Sequence, residues 1–189
     1  AAVAATLSPA PPEMGVQALL DRFEPLQPRL LLAHLSARPG DTGTPVPDKL
    51  AALARQLASL HGVVSLDGGA LPGGAEVLAL AALLEAADPA GFGWPRFGFN
   101  HPLFIMFSSG TTGRPKCIVH GAGGSLVEHV KEHRLHTDLR PGDRMYFHTS
   151  CSWMMWNWQL SALASGVEVV TYDGAISSVR WVGEVGGQH

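Results

Sequence analysis

The stretch Ser108-Ser109-Gly110-Thr111-Thr112-Gly113-Arg114-Pro115-Lys116 concentrates more chemistry than any other part of the chain. Ser108, Ser109, Thr111 and Thr112 bring four hydroxyls that can donate to anionic oxygens. Gly110 and Gly113 let the backbone turn and come close to a ligand. Successive N–H groups in such a turn form an anion-binding nest, and Arg114 and Lys116 add positive charge. A polyphosphate is the ligand these residues suit. The stretch is not a Walker loop, which requires G-x-x-x-x-G-K-[ST] running into a helix; here Pro115 precedes the lysine and β-type residues follow it. An ordinary surface hairpin loop carries the same turn residues, and composition alone does not separate the two readings.

Other groups invite a chemical reading and mostly have a plainer one. His129, His133 and His136 stand at i, i+4 and i+7 of an expected helix, a spacing that can hold a metal. No cysteine or carboxylate cluster completes the shell, so a polar face, solvated or partly buried, is expected and no metal ligand is assigned. His120 points at a nucleotide or, more simply, serves as a polar strand-end residue. Gly121-Ala122-Gly123-Gly124 lacks the G-x-G-x-x-G pattern of a dinucleotide loop and is expected to be a strand-to-helix turn. Trp153, Trp156 and Leu160 share one helical stripe, which is core or, with Met154, the wall of a substrate pocket. Cys117 and Cys151 make no disulfide framework and read as reduced thiols.

Positioning such a loop needs a scaffold, and the pattern supplies strands alternating with helices, hence an α/β class. GVQALLDRF (15–23) has helical spacing, with Val16, Leu19, Leu20 and Phe23 on one side, and Pro25 and Pro28 end it. Leu30 to His34 suits a strand. Asp48 can cap a helix to about Leu60, and Val63, Val64 and Leu66 look like the strand that completes a βαβ unit. A further helix is expected over about 75–87. The Gly/Pro/aromatic segment 89–100 is the best internal boundary. Beyond it come a strand at 103–107, the loop at its tip, a second strand at 117–120, a helix from about Ser125 to His136, a strand at 145–147, a helix at 153–164 and a strand at 167–172 closed by Asp173-Gly174.

The 189 residues amount to one domain or a little more, 46% apolar, with a formal net charge of −3. That balance gives no electrostatic reason to expect nucleic acid or an anionic membrane as partner. No apolar run is long enough to span a bilayer. Eight of the 13 basic side chains and seven of the nine histidines follow residue 94, so anionic chemistry is expected in the second half. The start has neither a basic region nor a sustained apolar core, so no signal peptide is expected and a cytoplasmic setting is. The first residue is Ala, as in a processed chain or a piece of something longer.

SSGTTGRPK resembles, at every signature position, the phosphate loop of the adenylate-forming superfamily of acyl-CoA synthetases, peptide-synthetase adenylation domains and luciferases. The flanks HPLFIMF and CIVHGAGGSLVEHVKEHRLHTDLRPGDR, then TSCSWMMWNWQLSALASG and YDG, are similar to the acetoacetyl-CoA synthetase family within it. GVQALLDRF and Gln27-Pro28 extend the likeness, which runs from about Gly15 to Gly174. The resemblance implies part of the large N-terminal domain of an adenylate-forming enzyme, spanning 15–174, after an irregular leader (1–14) and before a tail (175–189) that departs from the family pattern.

It also implies a reaction. In the family a carboxylate, here acetoacetate, attacks the α-phosphorus of ATP; pyrophosphate leaves, and coenzyme A displaces AMP from the acyl-adenylate. By resemblance Ser108, Ser109, Gly110, Thr111, Thr112 and Gly113 would hold the β- and γ-phosphates, and Lys116 would screen the leaving pyrophosphate as the catalytic group. Trp153, Met154 and Trp156 are candidates for the acid pocket. Mg2+ would assist, but the family's acidic metal segment, ribose-binding aspartate and second-domain lysine match nothing here. The rest of a parent chain is therefore expected as partner, and this chain alone is expected to be inactive and prone to self-association. The rival readings are an adenylation domain for another small carboxylic or amino acid and a truncated, non-catalytic nucleotide-binding module.

Overall fold

A computed structural model describes residues 4–37, 43–108 and 116–172. It is a mixed α/β structure whose first half packs around one apolar core. α1 (Val16–Phe23) repeats apolar residues at helical spacing and buries Leu19, Leu20 and Phe23. A 3-10 turn over Glu24–Leu26 carries Pro25, and Gln27, left-handed at φ 48°, ends it. β1 (Leu30–Ala33) and β2 (Gly62–Ser65) pair in parallel, Leu30 opposite Gly62 through Ala33 opposite Ser65. The connection between them is α2 (Val46–Gln56), so the expected βαβ unit is present. Leu31, Leu50, Leu53, Leu57 and Val63 close its core together with α1.

α2 starts two residues before the expected cap. Pro47 lies in its first turn, where a missing N–H costs nothing. Asp48 therefore stands inside that turn, and its charge rather than a capping bond favours the helix start. The helix stops at Gln56 because Leu57 takes an extended conformation.

The helix expected over 75–87 is only half realised. Leu78–Ala79 forms β3 and pairs in parallel with β2, satisfying an edge that would otherwise lack partners. Only Leu80–Ala86 is helical (α3), and none of its residues is buried. Residues 89–100 hold one 3-10 turn, Pro89–Gly91, and exposed aromatics, with Trp94 80% exposed.

β4 (Pro102–Ser108) and β5 (Lys116–Gly121) form the expected antiparallel hairpin. The leader is not wholly free. Leu7 lies parallel to β4, its N–H donating to Leu103 O (3.0 Å) and its carbonyl accepting from Ile105 N–H (2.9 Å), and the Ser8 hydroxyl donates to Ile105 O (3.0 Å). α4 (Ala122–Lys131) begins before the expected Ser125, so Gly123 and Gly124 belong to its first turn. A side chain at Gly123 would meet the Phe99 ring at 2.2 Å, which explains the glycine. The helix then widens into a π-turn over Glu132–His136.

Two-residue strands β6 (Arg144–Met145) and β7 (Glu168–Val169) pair in parallel over a small core of Met145, Ala162 and Val167. Between them runs α5 (Met154–Ser161), continued by a 3-10 turn to Ser165. The Trp153–Trp156–Leu160 stripe is not a core stripe: Trp153 is 65% exposed, and the buried residues of α5 are Asn157 and Gln159. Polar side chains take the inside because each finds work there, Asn157 Nδ2 donating to Met106 Sδ (3.3 Å) and Gln159 Nε2 to Val170 O (3.1 Å). Among the described residues no helix is long and apolar enough to cross a membrane.

Candidate functional site

The hairpin register sets Ser108 opposite Lys116, so the first and last residues of the hydroxyl-rich stretch face each other across two paired strands. Ser109, Gly110, Thr111, Thr112, Gly113, Arg114 and Pro115 lie outside the described residues. Lys116 is exposed and makes no ion pair among the described residues, leaving its ammonium available to an anion.

Successive residues of a strand point to opposite faces, and β4 is braced on both. Met106 meets Asn157 of α5, while the Arg22 guanidinium of α1 lies 5.4 Å from the centre of the Phe107 ring, a cation–π contact. The loop thus springs from a strand held by helices on either side and by the leader along its edge.

A cavity of about 510 Å³ opens where the carboxyl ends of β1, β6 and β7 converge. His34 follows β1, Tyr146 to Thr149 follow β6, and Val170 to Tyr172 follow β7; Trp156 and Gln159 of α5 complete the wall. In open α/β sheets ligands bind beyond the carboxyl ends of parallel strands. Of the three residues expected to line an acid pocket, Trp156 is in the wall of this cavity. Trp153 and Met154, 65% and 46% exposed, do not line this cavity.

His34 is steadied by a residue that the sequence reading missed. Asp67 accepts from the N–H groups of Leu35 (3.0 Å), Ser36 (2.9 Å) and Gly69 (3.2 Å) and from the Ser65 hydroxyl (3.0 Å). Led by the Leu35 and Ser36 bonds, these donors hold its carboxyl far below the usual carboxylate range. His34 Nδ1 stands 3.7 Å from Asp67 Oδ2. An Asp followed by two glycines after an apolar run was the signal for such a turn.

The three helix histidines separate. His129 and His133 are buried, whereas the π-turn carries His136 away to solvent, 3.9 Å from Glu132. His129 Nδ1 lies 2.7 Å from Ser161 Oγ, whose own proton goes to the carbonyls of Asn157 and Trp158. Burial, then the charges of His133 and His120, push the His129 imidazole down. Burial also lowers His133, against a smaller upward pull from the Trp158 backbone and Glu132. Among the described residues no group of three or more His, Cys, Asp or Glu could hold a metal ion.

Comparison with known proteins places this geometry in a family. Residues 1–186 match the model of the AMP-binding enzyme family, and the chain belongs to it. It is 41% identical over 181 residues to the acetoacetyl-coenzyme A synthetase of Rhizobium meliloti, covering 93% of this chain and 27% of that protein. Malonamoyl-CoA synthetase of Penicillium aethiopicum is 40% identical over 87% of this chain and 24% of its own length. The structure of acetoacetyl-CoA synthetase from Streptomyces lividans superposes with a TM-score of 0.81 at 40% identity, covering 92% of this chain and 26% of that one. The chain spans about a quarter of the length of the relatives it matches.

Proposed function

We propose that this chain carries the ATP phosphate-binding hairpin of an AMP-forming acid–CoA ligase, and that the complete protein activates acetoacetate to acetoacetyl-AMP and then to acetoacetyl-CoA. The observation that carries the reading is the β4–β5 register, with Ser108 and Lys116 opposite each other at the two ends of a nine-residue signature. In this reading Ser108, Ser109, Gly110, Thr111, Thr112 and Gly113 receive the β- and γ-phosphates of ATP. Lys116 neutralises charge that grows on the departing pyrophosphate, which is electrostatic stabilisation by a preorganised group. Coenzyme A is the second substrate. Among the described residues no group of three or more His, Cys, Asp or Glu could hold Mg2+.

The cavity beyond β1, β6 and β7 is a suitable place for a short acid. Its wall mixes rings (Phe147, Trp156) with donors (His34, Tyr146, His148, Thr149), which fits a short acid with a carbonyl near its far end. One relative is named for acetoacetyl-CoA and another for malonamoyl-CoA. Both acids carry a carbonyl on the third carbon, so malonamate is the second reading. Pyrophosphate release by the complete protein over acetoacetate, malonamate, butyrate, acetate and a set of amino acids tests both. Acetoacetate is expected to rank first; an amino acid in that place would overturn the assignment.

A further inference from the structure

Among the described residues His133 is the most deeply buried titratable side chain, with 0% exposure; neither ring nitrogen reaches good hydrogen-bond geometry, and the Trp158 backbone draws on the ring only weakly. Leaving a polar ring so placed is costly compared with an apolar residue of similar size. It lies in a π-turn, a rare geometry that is frequent at functional sites. The π-turn is locked at its end, since the Thr137 N–H and hydroxyl both donate to Glu132 O at 3.0 Å. The ring is fully buried by residues of this chain.

What His133 offers is therefore its plane. That plane meets the Trp158 indole, centroids 4.7 Å apart and tilted by 51°. Trp158 in turn meets Phe147 edge-on at 5.6 Å. Phe147 is in the wall of the cavity. Three rings thus run from the π-turn of α4 to the space proposed for the acid. His129, one turn earlier, does different work through its bond to Ser161.

We propose that His133 is a positioning residue: through Trp158 it sets where Phe147 stands, and so how long an acid the cavity accepts. The kinetic side of this inference rests on the acid-pocket reading above; the statement about the cavity wall does not. In the complete protein, His133→Ala should let Trp158 and Phe147 recede. The ratio of kcat/KM for 3-oxohexanoate to that for acetoacetate should rise about tenfold, the scale of discrimination by a pocket that gains or loses methylenes. The KM for ATP should stay unchanged, which general loosening of the fold would not allow. His133→Phe restores a ring and should return the ratio to near its original value. Where His133→Ala fails to fold, Trp158→Phe shortens the same link and should widen the selectivity in the same sense.

A second readout needs no turnover. With 4-fluorophenylalanine at position 147 of the complete protein, the fluorine shift should move in His133→Ala and stay put in His136→Ala, which changes an exposed residue of the same turn. A protein that activates no 3-oxo acid yet shows this fluorine shift would lose the acetoacetate reading and keep the three-ring link. An unmoved fluorine signal, or an unchanged acid ratio in a folded and active His133→Ala, would overturn the inference.

Discussion

Lys116 and Asp67 mark two ways in which one charge matters. Lys116 is exposed at the end of a paired strand, with nothing among the described residues to neutralise it, so its removal should leave the fold alone. In the complete protein Lys116→Ala should slow ATP–pyrophosphate exchange about a hundredfold or more, the usual effect of losing a group that stabilises developing charge. Exchange at the original rate in a folded variant would remove it from the site. The buried histidines give a prediction of opposite kind. Burial holds His129 and His133 below the ordinary imidazole value of 6.5, so the unfolded chain takes up their protons first. Their contribution to stability is complete above about pH 6.5 and is lost as pH falls toward the lower folded values. Thermal melts from pH 8 to pH 5 should show Tm falling below pH 6.5, and His133→Phe should flatten that fall; a Tm that rises on acidification would contradict the account. Asp67 adds a second acid limb that begins only below the ordinary carboxylate value of 3.8, where the unfolded chain takes up a proton that the bonded carboxylate of the folded chain still resists. Of these residues Lys116 was legible in the sequence because a signature surrounds it. Asp67 was not singled out, and His133 was read only as one of three histidines on a polar face, since an acid four-fold bonded to backbone and hydroxyl, or a histidine sealed under a tryptophan, differs from an exposed one only in its surroundings.

Among the elements, local pattern was a good guide wherever one side of an element faces a core. α1, β1, β2 and the β4–β5 hairpin follow their apolar spacing closely. It misled where an element is exposed or polar inside. LAALLEA and the residues before it read as one helix, but β2 had a free edge and Leu78–Ala79 filled it. α5 buries Asn157 and Gln159 rather than its tryptophans, because the partners of those two amides, Met106 in β4 and Val170 just after β7, lie outside the helix. The junction of β1 with β2 offers a test of element packing. A Cβ at Gly69 would lie 2.7 Å from Leu35 Cβ and 3.0 Å from the Leu35 carbonyl carbon and Ser36 N. Backbone atoms cannot swing aside, so Gly69→Ala should destabilise the protein by about 1–3 kcal/mol, seen as a lower denaturant midpoint. An unchanged midpoint would mean that the turn after β2 is looser than its bonds to Asp67 suggest.

At the scale of the molecule, the chain spans about a quarter of its relatives' length and presents large apolar groups to solvent. Leu84 (66% exposed), Trp94 (80%), Phe99 (62%), Val127 (63%) and Leu135 (77%) are large groups in water. Purified on its own, the chain should elute from a sizing column above its monomer mass and make no acetoacetyl-CoA; a clean monomer, or turnover above that of a Lys116→Ala control, would contradict this. The distant contact between the leader and β4 carries a mechanical consequence. Leu7 and Ser8 grip β4 through bonds that lie side by side along two parallel segments. Tension drawn along the leader loads those bonds together, in shear, instead of opening them one by one. A tether fixed ahead of residue 4 would therefore tug on the strand that leads into the loop proposed to hold ATP.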